Sequence, residues 1–131
     1  MQKKENPFAN LLEMKFISQG EHVTVCSMPV ARSTMNPNRV AHGGALFSLA
    51  DNGMGRAIQR TLNETEMSAS IEIKMSYFRA VRDGELACEA RIVKSGKRVV
   101  FAEADLFNHE KLVAKATGSF SIFTPSKTKK D

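Results

Sequence analysis

The chain contains 131 residues, of which 42% are hydrophobic and 25% charged, and it carries a formal net charge of +5. This length favours one domain with a substantial core, so we expect residues 1–131 to form a single domain. No apolar run approaches the ~20 residues that cross a bilayer, and no apolar segment typical of a secretory signal follows the first lysines. These features predict a cytoplasmic protein without a membrane span.

The positive charge suits an anionic partner, but part of it lies in the segment "SKTKK", where we expect a flexible basic tail over about residues 125–131. Nucleic acid is disfavoured as a partner, because the chain has no Trp and a single Tyr that could stack on bases. Cys26 and Cys88 lie far apart without a CxxC motif, which predicts neither a zinc site nor a disulfide framework. We expect both to be buried thiols.

Helical signals occur twice in the first half of the chain. Asn6 followed by Pro7 predicts an N-cap and a short helix over about residues 6–14, ahead of an extended segment around "EHVTVCSMPV". A loop follows over 31–40, and the main helix is expected from about His42 to about Gln59. Its apolar residues recur at spacings of three and four and form one stripe that should pack on a sheet: Leu46, Leu49, Ala50, Gly53, Met54 and Ala57.

Four strand-like runs follow the helix: "SIEIKMSYF", "ELACEARIVK", "RVVFAEADLF" and "KLVAKATGSFSIF". The turn signals between them, "VRDG", "SGK" and "NHE", are short, so we expect consecutive strands to pair antiparallel. The predicted fold class is therefore α+β, one long helix against an antiparallel sheet of about five strands. In the first run, Ser70 falls in register with Glu72 and Lys74, which predicts a polar to mixed second face that oligomerisation could cover.

The segment 36–51, "NPNRVAHGGALFSLAD", combines residue types that folding alone does not require. At 3.6 residues per turn, Asp51 shares one narrow strip of the helix with Gly44, Ser48 and Gly55. Helical glycines such as Gly53 and Gly55 each cost about 0.8–1 kcal/mol relative to alanine, which suggests the close approach of another backbone or a ligand. Free backbone N–H groups at Gly43 and Gly44 can stabilise an oxyanion.

The spacing of Asn36, His42-Gly-Gly and Asp51 resembles that of the hotdog-fold acyl-CoA thioesterases, in the phenylacetyl-CoA thioesterase-like branch of the 4-hydroxybenzoyl-CoA thioesterase superfamily. The resemblance extends through the strand meander, including "KSGKRVVFAEADLF", and covers roughly residues 20–124. One departure is Ala80, where the family often has proline after the arginine. The resemblance implies a hotdog fold, with the helix packed on a curved antiparallel sheet.

The resemblance also implies roles for individual residues. Asp51 matches the catalytic carboxylate, acting either as nucleophile on the thioester carbon or as general base on a water. The Gly43 amide matches the oxyanion donor, while Asn36 and His42 match the groups that orient the thioester and its water. Ser70 falls where relatives keep a Ser or Thr beside the carboxylate. We expect no metal and no cofactor, because this chemistry needs only an activated oxygen and a stabilised oxyanion.

Binding partners follow less directly. Four basic residues near strand ends and turns are candidates for the coenzyme A phosphates, although such residues are more often only solvated: Arg79, Arg82, Lys97 and Arg98. Gly43 and Asp51 are eight residues apart, about 12 Å along one helix, so one chain cannot complete the site. We therefore expect a dimer with shared sites, paired into a dimer of dimers as the resemblance implies.

Two other functions remain possible on the same scaffold. A non-catalytic acyl-CoA binding or sensor module would keep the cavity without needing a carboxylate, so the presence of Asp51 favours an enzyme. Hydratase or dehydratase chemistry needs a catalytic histidine on the helix, and there is none between Ala45 and Gln59. The acyl group stays open among aryl-acetyl, medium-chain fatty acyl and quinone-pathway aromatic thioesters.

Overall fold

A computed structural model describes residues 5–126 of the chain. It contains a long helix, α2, packed against an antiparallel six-stranded sheet. The elements are α1 (Pro7–Leu11), β1 (Lys15–Gln19), β2 (Thr24–Pro29), a 3₁₀ turn (Arg32–Thr34), α2 (Gly43–Gln59), β3 (Met67–Tyr77), β4 (Glu85–Ser95), β5 (Val99–Asn108) and β6 (Lys111–Phe123). The α+β architecture predicted from the sequence pattern is confirmed, with six strands in place of about five. From residue 127 onward, the predicted basic tail lies outside the described residues.

The predicted apolar stripe of α2 forms the centre of the core. All six of its residues are buried, and α2 packs against one face of the sheet. The sheet contributes buried side chains such as Leu86, Leu106 and Phe120 to the same core. The helix begins directly after His42, whose side chain caps it, and ends at Gln59. Because this stripe is buried, the opposite side of α2 faces away from the core. The strip that contains Asp51 lies at the edge of the buried stripe. Within residues 5–126, no helix is long and apolar enough to cross a membrane.

The order of strands in the sheet is β1-β2-β4-β5-β6-β3, so the expected pairing of β3 with β4 is wrong. β3 instead pairs with β6 and forms one edge of the sheet. The connection over residues 78–84 therefore passes the ends of two intervening strands. Three strand spacings amount to about 14 Å, and seven extended residues reach about 23 Å, so this short connection suffices. Of the three turns predicted between the last four strands, "SGK" and "NHE" join neighbouring strands and "VRDG" does not.

The N-terminal region differs from the prediction in two ways. Helix α1 ends at Leu11, earlier than expected, because Glu13 adopts a positive φ of 57° and Lys15 begins a strand. That strand, β1, is the sixth strand, which the sequence did not indicate. Its residues are mostly exposed, and Phe16 alone packs against the core, so "KFISQ" lacks the alternation that identifies a half-buried strand.

A β-bulge at Ile71 divides β3 into two halves with opposite parity. The pairing with β6 shifts between Ser70 and Glu72, so one extra residue lies in β3 at this point. Ile73 and Met75 pack against the core, and Ser70 points to the same side, toward α2. Ile71 is 58% exposed. The predicted alignment of Ser70 with Glu72 and Lys74 is therefore wrong, because strict alternation does not continue through the bulge.

Candidate active site

Asp51 lies in the middle of α2, half-buried, with its carboxylate turned toward β3. Ser70 donates a hydrogen bond from its hydroxyl to Oδ1 of Asp51 over 3.1 Å. Burial raises the pKa of the Asp51 carboxyl above its ordinary value, and the Ser70 hydrogen bond partly offsets this by favouring the charged form. The result is a partly desolvated carboxylate with one hydrogen-bonded oxygen, which suits a base or a nucleophile.

A cavity of about 250 Å³ opens beside Asp51. Gly55, one turn further along α2, forms part of its wall, and a Cβ added there would meet no atom within 4 Å. The protomer itself therefore gives no steric reason for glycine at position 55. The remaining wall residues come from α1, β1, α2, β3 and β6: Asn6, Phe16, Asn52, Arg56, Gln59, Ser68, Ser70 and Phe120.

The first turn of α2 presents an unused backbone donor. The His42 side chain accepts the N–H of Gly44 through Nδ1 over 2.8 Å, so the neutral imidazole carries its proton on Nε2. Within residues 5–126, no acceptor takes the N–H of Gly43. Because His42 caps the neighbouring amide, the free Gly43 N–H remains at the positive end of the helix dipole, where it can stabilise an oxyanion.

Tyr77, which the sequence did not single out for the site, anchors this helix end. Its hydroxyl donates to the carbonyl oxygen of Gly43 over 2.8 Å, and a Cβ added to Gly43 would lie 3.2 Å from that hydroxyl. Tyr77 also lines a second cavity of about 360 Å³, together with Gly43, Leu46 and Arg79. A strand tyrosine gives no signal of such a contact in the sequence, because only the register of β3 brings it to the helix.

Within residues 5–126, the Asn36 side chain makes no hydrogen bond to His42 or Asp51. Its side-chain oxygen accepts the backbone N–H of Asn38 over 2.9 Å and, more weakly, that of Val40 over 3.4 Å. These bonds fold the loop before α2, in which Arg39 adopts a positive φ of 61°. Asn36 therefore shapes the loop, and its side-chain NH₂ stays available to a ligand because it has no partner within residues 5–126.

The protomer holds the candidate groups in two separate clusters, which we call the two halves of the candidate site. Gly43 and Asp51 lie on one unbroken helix, so they remain separated by about 12 Å along its axis. Asp51 has Ser70 as its neighbour, while Gly43 has Tyr77 and His42. A single thioester cannot contact both halves within one protomer.

The four candidate coenzyme A residues also fall into two groups. Arg79 donates its backbone N–H to Val113 near one end of β6, whereas the carbonyl of Arg98 accepts the N–H of Ile122 near the other end. Nine residues of strand separate these points, about 30 Å. Arg82 lies in the same connection as Arg79, and Lys97 lies in the same turn as Arg98. The four residues therefore do not form one basic patch on the protomer.

In the part of the chain that the structure describes, no three His, Cys, Asp or Glu side chains are close enough together to hold a metal ion. Cys26 and Cys88 are both fully buried free thiols, and they lie directly opposite each other on β2 and β4. Sequence spacing did not indicate this proximity. Both sulfurs lie beneath Gly53 of α2, on the core side of the helix away from the strip with Asp51.

Comparison with known proteins identifies relatives of the whole helix-and-sheet unit. The family model described as "Thioesterase superfamily" matches residues 38–115. Mouse acyl-coenzyme A thioesterase 13 is 29% identical over 112 residues, covering 82% of this chain and 79% of its own. A conserved protein from Pseudomonas aeruginosa, PA5202, superposes with a TM-score of 0.86 at 37% identity, covering 91% of this chain and 95% of its own.

A third relative is the PaaI protein from the phenylacetic acid degradation operon of Escherichia coli. Its structure superposes with a TM-score of 0.81 at 25% identity and covers 88% of this chain and 83% of its own. The match extends over nearly all of the described helix and sheet. It confirms the resemblance to the branch that the Asn36, His42 and Asp51 spacing indicated.

Proposed function

The chain belongs to the thioesterase superfamily and is a thioester hydrolase, and we propose that it hydrolyses an acyl-CoA thioester to the free acid and coenzyme A. The name of the mouse relative supports coenzyme A as the thiol. The observation that carries the proposal is the pairing of a desolvated, Ser70-bonded Asp51 carboxylate with a cavity at its side. We assign Asp51 as the reacting carboxylate and the Gly43 N–H as the oxyanion donor.

Two routes use these groups, and both remain open. In the first, Asp51 accepts a proton from water as the water oxygen attacks the thioester carbon. In the second, an Asp51 oxygen attacks that carbon itself and forms a mixed anhydride, which water then hydrolyses. In both routes the carbonyl oxygen becomes negative and the Gly43 N–H stabilises it, after which the C–S bond breaks and coenzyme A leaves as a thiolate that takes up a proton. His42, through Nε2–H, and Asn36, through its NH₂ group, would orient the thioester and its water.

We propose that the two halves meet across a two-fold axis, with Asp51 of one protomer beside Gly43 of its partner. The small residues of the strip, Gly44, Ser48 and Gly55, allow two helices or a helix and a substrate to approach closely. β3 supports this arrangement, because it is an edge strand of eleven residues next to the strip, with Ile71 58% exposed.

Antiparallel helices would also bring the Arg79 and Arg82 group of one protomer toward the Lys97 and Arg98 group of the other. This removes the separation of about 30 Å within a protomer and provides two basic groups for the phosphates of one coenzyme A. We further propose that residues 1–131 form one domain, that dimers pair into a dimer of dimers, and that the reaction takes place in the cytoplasm.

The proposal is tested by assaying thiol release from a panel of acyl-CoAs with the wild-type protein and with Asp51→Asn. The variant keeps the side-chain shape but removes the reacting oxygen, so we expect turnover to be lost while the fold and acyl-CoA binding persist. Wild-type binding without any turnover would instead indicate a non-catalytic sensor. A kcat near the wild-type value in Asp51→Asn would remove this residue from the mechanism.

A further inference from the structure

The cavity beside Asp51 has an unusually polar wall for a pocket that would hold an acyl group. Such pockets are generally lined by apolar and aromatic side chains with few polar groups. Here two aromatic rings, Phe16 and Phe120, are the only large apolar side chains of the wall, and most of the remaining residues are polar or charged. The chemistry of these polar groups therefore constrains what the pocket receives.

Arg56 is the one cationic residue of this wall. It is half-buried, and its guanidinium lies 4.2 Å above the centroid of the Phe16 ring. Within residues 5–126, no carboxylate lies within 4 Å of it, whereas the equally half-buried Arg91 pairs with Glu103 and Asp105. The Phe16 ring and the last turn of α2 stabilise the charge of this guanidinium, but its N–H donors have no acceptor among the described residues. An incoming carboxylate would accept hydrogen bonds from these donors and pair with the charge.

Two other polar residues of the wall are occupied by contacts within the protein. Asn6 donates to the side-chain oxygen of Asn52 over 2.8 Å and caps α1 through the N–H of Ala9. Asn52 in turn donates to the carbonyl of Ser48 over 3.0 Å. These bonds join α1 to α2 and make a fixed wall. Beyond Asp51 and Ser70, the polar side chains of the wall that are left for a ligand are those of Arg56, Ser68 and the exposed Gln59.

We propose that the acyl group carries a free carboxylate at the end away from the thioester, and that Arg56 binds it. The proposal rests on the proposed function and specifies its substrate class as the half-thioester of a dicarboxylic acid. Asp51 and Arg56 are five residues apart, about 7.5 Å along the helix axis, which separates the reacting end from the carboxylate end. A cavity of 250 Å³ accommodates a short chain or one ring, since about 150 Å³ already holds benzene.

The test compares substrates that differ only in the terminal carboxylate. Adipoyl-CoA is paired with hexanoyl-CoA, and 4-carboxyphenylacetyl-CoA with phenylacetyl-CoA, so the two pairs distinguish an aliphatic from an aromatic carrier. The measured quantity is the ratio of kcat/KM for the acid to that for its parent. We expect this ratio to be about 10 to 100 for the wild type in at least one pair, which is the effect of one charge-assisted hydrogen bond.

Arg56→Gln should reduce that ratio by the same factor, because it removes the charge that binds the carboxylate. Glutamine is chosen because it keeps a polar side chain in the wall. The matched control is Arg60→Gln, which makes the same charge change four residues further along, outside the cavity, where the Arg60 side chain bonds to the carbonyl of Gly20. Arg60→Gln should keep the wild-type ratio. If Arg56→Gln does not fold, Arg56→Lys replaces it and should retain a ratio between those of the wild type and of an uncharged site.

The outcomes separate this proposal from the function beneath it. Failure to hydrolyse any of the four thioesters would contradict the proposed function. Hydrolysis of hexanoyl-CoA and phenylacetyl-CoA at least as efficiently as their carboxylated analogues would overturn only the substrate assignment. An undiminished preference for the acids in Arg56→Gln, or in Arg56→Lys where the first variant does not fold, would overturn the role of Arg56.

Discussion

Replacing Gly53 by alanine is expected to destabilise the protein, although alanine is the better helix former. A Cβ built on Gly53 would lie 2.6 Å from Sγ of Cys88 and 3.3 Å from Sγ of Cys26, both fully buried. The first distance is about 1 Å shorter than a normal non-bonded contact between heavy atoms. Because both sulfurs belong to central strands of the sheet, the helix or the strands must move.

The magnitude follows from two opposing effects. Exchanging glycine for alanine inside a helix favours folding by about 0.8–1 kcal/mol. Overpacking a dense core costs about 1–3 kcal/mol. We therefore expect Gly53→Ala to lower the free energy of unfolding by up to about 2 kcal/mol. Gly55→Ala serves as the matched comparison, because a Cβ at this position would meet no atom of the protomer within 4 Å. Unless a partner approaches there, this substitution should raise the free energy of unfolding by the full gain in helix propensity.

The assay is urea denaturation of wild type, Gly53→Ala, Cys88→Ala and the double variant at one protein concentration, since assembly contributes to apparent stability. If the clash with sulfur is the cause, Cys88→Ala relieves it, and the two substitutions should couple by about 1–3 kcal/mol in the double-mutant cycle. Additive effects, or a Gly53→Ala protein that is about 1 kcal/mol more stable than wild type, would refute the close approach of α2 to β2 and β4.

Three further predictions concern the proposed site. Ser70→Ala removes the hydrogen bond that lowers the pKa of Asp51, so the pKa should rise further and the acid limb of the kcat/KM profile should move to higher pH; an unchanged limb would contradict the contact. Gly43→Pro deletes the free N–H at the first helical position, where proline is tolerated, and should lower kcat by about 10²–10³-fold; full kcat in a folded variant would exclude the oxyanion role. The inactive variants Asp51→Asn and His42→Ala, unfolded and refolded as a mixture, should recover about a quarter of wild-type activity, because each mixed dimer would have one site that carries neither change. If mass spectrometry shows mixed dimers and activity is not recovered, the sites are not shared in this way.

The central helix was predictable because a period of 3.6 residues and a capped start are both local properties. Its stripe, from Leu46 to Ala57, and the four later strands follow from spacing alone. The pairing of β3 with β6 was not predictable, since β4 and β5 separate these strands in the chain and no local pattern specifies the partner of β3. β1 was missed because an edge strand with exposed side chains has no buried face that its sequence must serve.

The candidate site divides in the same way. Asp51 and Gly43 were identifiable because they lie on a single helix at a spacing that resembles a known family. The contacts that position them come from β3 and depend on its register, so Ser70 was expected beside the carboxylate from the resemblance alone, and Tyr77 was not expected. The spacing of Asn36 from the helix was also readable in the sequence. Within the protomer, however, its side-chain oxygen serves to fold the loop before the helix.

The bulge at Ile71 determines which residues of β3 face Asp51. Elsewhere in a strand of strict alternation, adding or losing a single residue exchanges the two faces beyond that point. Ile71, however, is the extra residue of the bulge, and without it Glu72 would follow Ser70 directly and pair with the next residue of β6. Ser70 would then stay on the same face as Ile73 and Met75 by plain alternation. Over evolutionary time, related chains could therefore lose a residue at this point and still keep a hydroxyl neighbour beside the carboxylate.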